Sequence, residues 1–179
     1  MPPTPDQPTP PPGSDPVLGH PAVRRVAAAL HGAGVDSPIL VLDGAARTAA
    51  QAAAYLGVDV GQIANSLVFA GEPADAPDER IPVLVLTSGA HRVDPPVAAG
   101  ALGLAALHRA DADFVREHTG FAIGGVAPVG HARPIRAAVD RRLAAYEHVW
   151  AAGGHPHAVF RTSFAQLCRL TGGVGIDVR

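Results

Sequence analysis

From Gly120 to Pro134 the chain reads GFAIGGVAPVGHARP, a stretch that can be neither a stable helix nor a stable strand. It holds four glycines and two prolines around only four large apolar side chains. Glycine removes the side chain wherever something must come close to the backbone, while Pro128 fixes φ and withholds one N–H. Set between well-patterned segments, it is expected to be a shaped loop whose free N–H groups form a concave site. Such sites take a phosphate, a carboxylate or the oxygen of a polarised carbonyl. The plainer alternative is that the glycines only turn the chain between two elements.

The flanking segments predict a mixed α/β fold. Val23, Val26, Ala27 and Leu30 recur at helical spacing within 21–33, with Gly32 and Gly34 ending the pattern. Thr48 and Gln51 form a capping-box start to a second helix that stops at Gly57. Asp94 with Pro95 opens a third helix running to about Leu102, Asp111–His118 a fourth closed by Gly120, and Ser163–Leu170 a fifth ahead of Gly172. Strands are expected at 39–42, 66–70, 82–87, 135–139, 149–151 and 158–161, with 60–64 a turn and 72–80 an exposed loop. The irregular alternation suggests a single compact domain with a mixed sheet and short helices, not a regular doubly wound one. Residues 1–16, half of them proline, cannot bury enough surface to order themselves and are expected to be a disordered tail ahead of a domain over 17–179.

Composition narrows the chemistry. The net charge is −2 and all 14 basic residues are arginine, so there is no global basic field and any nucleic-acid contact must be local. A chain without lysine cannot form the GxxxxGK[ST] phosphate loop. The single cysteine, Cys168, excludes an internal disulfide and sits at helical spacing with Phe164 and Leu167, as an inert core thiol would. Nine histidines are present, but without HExxH or comparable spacing no metal site is expected. Neither GxSxG nor GxGxxG occurs, so no cofactor is expected and backbone amides with a few polar side chains remain as the tools. The N-terminus does not read as a secretory signal, no apolar stretch is long enough to span a bilayer, and the cytoplasm is the default compartment.

Five segments, in order, then carry a resemblance: AAAYLGVDVGQIANSLVF (52–69), PVLVLTSGAHRVD (82–94), TGFAIGGVAPVGHARPIRAAVD (119–140), AAGGHPHAVF (151–160) and FAQLCRLTGG (164–173). From about Arg47 to Ile176 the chain resembles the YbaK/EbsC and ProX proteins, free-standing relatives of the editing domain of bacterial prolyl-tRNA synthetases. The resemblance implies a compact mixed α/β domain, its mixed, mostly antiparallel, barrel-like sheet surrounded by short helices, that hydrolyses the ester of a tRNA mischarged with alanine, cysteine or another small amino acid. It implies that the GxxxP loop, here Gly124 to Pro128 (GGVAP), holds the aminoacylated 3′-terminal adenosine. The attacking water is then oriented by the substrate's own ribose hydroxyl and by backbone groups, with no protein nucleophile. The partner implied is the acceptor end of an aminoacyl-tRNA, with a synthetase as a possible source, and neither DNA nor a membrane.

Carried over residue by residue, Asn65, Gly124 and Gly125 are the catalytic candidates, and Ser66, Val126, Ala127, Pro128, Ala152, Gly153, Gly154 and His155 the substrate-binding ones. His131, Arg133 and Arg136, with Arg141 and Arg142 beyond, are candidates for contacts to tRNA phosphates. Asp140 is expected to be a turn or cap, and Arg47 to be structural. Two positions depart from the family pattern. Where relatives read IxKSL or IxKTL, this chain has Ile63-Ala64-Asn65-Ser66-Leu67, replacing a cation by an amide that donates hydrogen bonds without charge. Ala152 stands where some relatives line the pocket with serine. Two functions therefore stay open: a trans-editing deacylase, or a non-catalytic module that binds an aminoacyl-adenosine or a tRNA 3′ end.

Overall fold

The structure is a computed structural model and describes residues 15–179, so the expected proline-rich tail lies, but for Asp15 and Pro16, outside the described residues. Five α-helices and eight strands alternate in the order α1 (Pro21–Gly32), β1 (Ile39–Val41), α2 (Ala49–Leu56), β2 (Ile63–Pro73), β3 (Ile81–Ser88), α3 (Pro95–Ala101), β4 (Leu104–Arg109), α4 (Ala112–Thr119), β5 (Arg136–Asp140), β6 (Val149–Ala152), β7 (Ala158–Thr162), α5 (Phe164–Thr171) and β8 (Val174–Ile176). All eight strands form one mixed sheet in the order β1-β7-β6-β2-β3-β5-β8, with β4 added to β2. Four pairings are antiparallel and three parallel.

Each predicted helix forms, and the residues that open four of them in the sequence act as their caps. Thr48, Asp94, Asp111 and Ser163 each accept a hydrogen bond from an N–H in the first turn, satisfying donors that the helix itself leaves free. Gly57, Gly120 and Gly172 end their helices in the left-handed conformation. The Thr48 box has one variation: Gln51 Oε1 accepts from the N–H of Arg47 at 2.9 Å, one residue ahead of the cap.

The strand expectations need two additions and one extension. β4 and β8 carry no strand signal in the sequence, and β2 reaches from Ile63 to Pro73 across residues expected to be a turn and a loop. In β4, Leu104 and Leu107 are both buried although three apart, a helical spacing. A register shift opposite Glu72 and Pro73 allows it, because the extra residue of a β-bulge returns both leucines to one face.

The sheet is covered on both faces. Against one face pack α1, α4, α5 and the glycine loop, around Val26, Leu84, Leu86, Phe121, Val139, Phe160 and Leu167. The other face carries α3 over Val83 and Val85, and α2 over Ile63 and Trp150. Cys168 packs partly buried against the first core, where desolvation raises its pKa, as an unreactive thiol requires.

One detail of strand pairing positions the site. On one edge β2 pairs with β3 from Ala64 to Gly71. On the other it pairs with β6 at Ile63 and Ala64 and with β4 from Phe69 onward. Asn65 to Val68 are thus unpaired on that second edge, and the glycine loop comes up to this gap.

Candidate active site

The loop is held as an Ω-shaped excursion by contacts at its neck. The N–H of Ala132 donates to Thr119 O at 3.0 Å, and Thr119 Oγ1, itself buried, accepts from the N–H of Phe121 at 3.0 Å. Arg25 on α1 spans the same neck, donating through Nη2 to Gly120 O at 2.9 Å and through Nε to Gly130 O at 3.4 Å. Its guanidinium carbon also lies 5.0 Å from the centroid of the Phe121 ring. Phe121 is 1% exposed, and burying a side chain of this size stabilises by about 1.5–3 kcal/mol, so the loop has its own anchor. No sequence signal points to Arg25, whose partners lie 95 and 105 residues away.

Within the loop, His131 Nε2 is 2.7 Å from Ala127 O and serves as an internal strut. Burial lowers the pKa of this imidazole below its ordinary 6.5, an effect that the bond to Ala127 opposes. Because the folded value is depressed, the unfolded chain takes up its proton first as pH falls through 6.5, and stability is lost until pH passes the lower folded value. Thermal unfolding at pH 7.5 and 5.5 is expected to show this loss in the wild type and a smaller one in His131→Gln. An equal loss in both would remove His131 from the account.

The Gly124–Val126 segment, the open edge of β2, the start of α2 and the β6–β7 turn enclose a cleft of about 80 Å³. That is well below the roughly 300 Å³ at which pockets for drug-sized ligands begin, and it admits only a small group. Of the residues singled out in the sequence, Asn65, Ser66, Gly124, Val126, Ala152 and His155 line it together. The N–H groups of Gly124, Val126 and Ala127 take no hydrogen bond among the described residues, whereas that of Gly125 is used in a turn to Ala122 O at 3.0 Å. Ser66 Oγ is buried without a hydrogen-bond partner among the described residues. A buried hydroxyl left unpaired costs about 1–3 kcal/mol, which a bound acceptor or donor would recover.

Gly125, Gly153 and Gly154 lie beneath the cleft. A Cβ on Gly125 would stand 3.3 Å from Gly154 O, so the two backbones touch because neither residue has a side chain. Gly154, at φ +99°, packs in turn on the Ala22 carbonyl of α1. Gly153 donates to Ala158 O at 2.7 Å, closing the turn.

The remaining candidates lie elsewhere. Pro128, His131 and Arg133 line a separate shallow depression with Ala29 and Leu170. Arg133 is 3.6 Å from Glu117, both largely exposed. Arg136 donates to Leu102 O at the end of α3. Asp140 is buried and accepts from Thr87 Oγ1, Ser88 N–H and Arg142 N–H, with His91 Nδ1 at 2.9 Å, and it caps the helical turn after β5.

His155 stands in a group of three imidazoles, its ring centroid 5.2 Å from that of His20 and 5.5 Å from that of His157. Desolvation, then the neighbouring His20 and His157, lower its pKa, and its Nδ1 accepts from the His157 N–H at 3.1 Å. Held neutral in this way, its Nε2 carries the ring proton and can donate. Among the described residues no group of three or more His, Cys, Asp or Glu is arranged to hold a metal ion. Sequence reasoning passed over Trp150 and Arg47 as cleft residues; both line it.

The chain that carries this loop and strand edge has known counterparts. Residues 43–170 match the aminoacyl-tRNA editing domain family, and the chain belongs to it. It is similar, at 42% identity and a TM-score of 0.79, to a crystal structure described as a candidate trans-editing enzyme for prolyl-tRNA synthetase, with 89% of this chain and 98% of that one covered. A scaffold protein used for grafting linear epitopes shares 41% identity at the same TM-score, over 89% of this chain and 97% of the other. The hypothetical protein APE2540 shares 30% identity at a TM-score of 0.75, over 86% of this chain and 98% of that one. The mixed α/β fold is therefore that of the YbaK-like editing domains. No helix among the described residues is long and apolar enough to cross a membrane.

Proposed function

We propose that the protein is a trans-editing deacylase that hydrolyses the ester of a tRNA mischarged with a small amino acid of the alanyl or cysteinyl kind. The observation that carries this reading is a cleft lined together by Gly124 and Val126, whose N–H groups make no hydrogen bond among the described residues, and by Ser66, whose buried hydroxyl has no partner among them either. Ester hydrolysis needs charge stabilised on the carbonyl oxygen as water attacks. Preorganised N–H donors do this without a nucleophile, and removing one typically costs about 10²- to 10³-fold in rate. Among the described residues the cleft contributes no carboxylate, thiol or amine, and His155 is the one imidazole that lines it. The attacking water is then oriented by the ribose hydroxyl of the terminal adenosine and by the loop backbone. In the same reading a synthetase for proline delivers the substrate.

Selectivity follows from size. A cavity of about 80 Å³ walled by Ile63, Val126, Trp150 and Ala152 excludes large side chains sterically. It separates alanine from a residue one methylene larger by only about 1–3 kcal/mol. A panel of aminoacylated tRNAs is the test: alanyl and cysteinyl esters are expected to decay faster than in buffer, and leucyl or phenylalanyl esters at the buffer rate. Equal acceleration of all esters would contradict a size-selective site.

A second reading, a binding module without turnover, is favoured by Asn65, which is exposed at the cleft and brings no charge.

A further inference from the structure

We infer that Arg47 is the anion-binding residue of the cleft and takes the phosphodiester on the 5′ side of the terminal adenosine, so that the cation absent at Asn65 enters from a different element. This rests on the deacylase or binding reading of the cleft given above. Arg47 lines the same cavity as Asn65, Ser66, Gly124 and His155. Among the described residues it is the one permanently charged residue there, and no carboxylate lines the cavity to neutralise it. Its side chain is exposed and makes neither a hydrogen bond nor an ion pair among the described residues. Its backbone is fixed, because the N–H donates to Gln51 Oε1 and the next residue is the Thr48 cap of α2. A long cationic side chain on a pinned base at the rim of a small cleft is poised for an anion just outside it.

The chemistry of the substrate identifies that anion. In an aminoacyl ester the amino-acid carboxyl is esterified and neutral, and the α-amino group is a cation that Arg47 repels. The nearest negative charge to the scissile bond is the phosphodiester of the terminal nucleotide. Arginine suits it, since the planar guanidinium gives two parallel N–H bonds to phosphate oxygens. With the phosphate held at α2 and the ester carbonyl at Gly124, the 3′ end lies across the mouth of the cleft in one direction only, and only the aminoacyl group enters.

The test uses two hydrolysis-resistant probes, 3′-alanylamido-3′-deoxyadenosine with and without a 5′-phosphate, titrated calorimetrically into the whole protein. The wild type is expected to bind the phosphorylated probe about tenfold more tightly, the usual scale for a hydrogen-bonded charge pair at a partly solvated site, and to lose that margin as salt rises. Arg47→Gln is expected to bind both probes alike with unchanged thermal unfolding, and Arg47→Lys to keep part of the margin. A margin retained by Arg47→Gln, or no margin in the wild type, overturns the assignment of Arg47 while leaving the cleft reading intact. Failure of the wild type to bind either probe overturns the cleft reading and this assignment with it.

Discussion

Replacing Gly125 by valine is expected to lower deacylation about 100-fold while leaving the protein folded. Gly125 has no positive φ to strain, and the Cβ alone fits tightly, 3.3 Å from Gly154 O and 3.5 Å from His155 Cα. The two γ-methyl groups of valine do not fit, and they push the Gly124–Val126 segment away from the β6–β7 turn. Both sides of the cleft are displaced, His155 on one and the free amides on the other. A misplacement of about 1 Å at a reacting group costs on the order of 10²-fold in rate. Gly125→Ala, which stops at the Cβ, is expected to lose several times less. Single-turnover rates beside circular dichroism check both variants. An unfolded Gly125→Val protein would instead show that the residue only supports packing.

Gly154→Ala is expected to give the largest loss of stability, about 3 kcal/mol. Its φ of +99° is one that a side-chain-bearing residue adopts at a cost of about 1–3 kcal/mol. The added Cβ would also lie 2.9 Å from Ala22 O, 3.0 Å from Ala22 C and 3.1 Å from Val26 Cγ2, so that α1 itself must move. Overpacking of this kind adds about 1–3 kcal/mol. Because α1 carries Arg25, its displacement also loosens the neck of the glycine loop, and activity falls with stability. Chemical denaturation measures the loss. A change below about 1 kcal/mol would mean that α1 is not seated on this turn.

Much of the fold was legible because its signals are local. Thr48, Asp94, Asp111 and Ser163 announce helix starts within three residues, and Gly57, Gly120 and Gly172 announce the stops. What escaped depends on distant pairing. β4 hides behind the helix-like spacing of Leu104 and Leu107, which fits a strand only because β4 bulges at Ala105 opposite Glu72 and Pro73 of β2. β8 is three residues long and its Gly175 packs under the Phe164 ring, a contact with no sequence signature.

The site divides in the same way. The GGVAP loop and the strand bearing Asn65 and Ser66 are visible as motifs, and the structure brings them to one cleft. Arg25 is silent in sequence because its acceptors are carbonyls far along the chain. Arg47 looked like a helix-start residue, and its backbone does serve there, but its side chain faces the cleft rim. Proximity in sequence drew Arg133 and Arg136 toward the loop. Their side chains lie outside the cleft, that of Arg133 exposed and 3.6 Å from Glu117 and that of Arg136 donating to Leu102 O.

In the proposed deacylase, water hydrolyses the ester while the loop amides stabilise the oxyanion, with no cation needed at position 65. The most direct measurement is the decay of alanyl-tRNA for proline under single-turnover conditions with wild-type protein, Asn65→Lys and buffer alone. The account predicts that the wild type clears the ester well above the buffer rate and that Asn65→Lys adds a further increase. A wild type no faster than buffer, beside an active Asn65→Lys variant, would contradict it and identify the natural protein as a binding module.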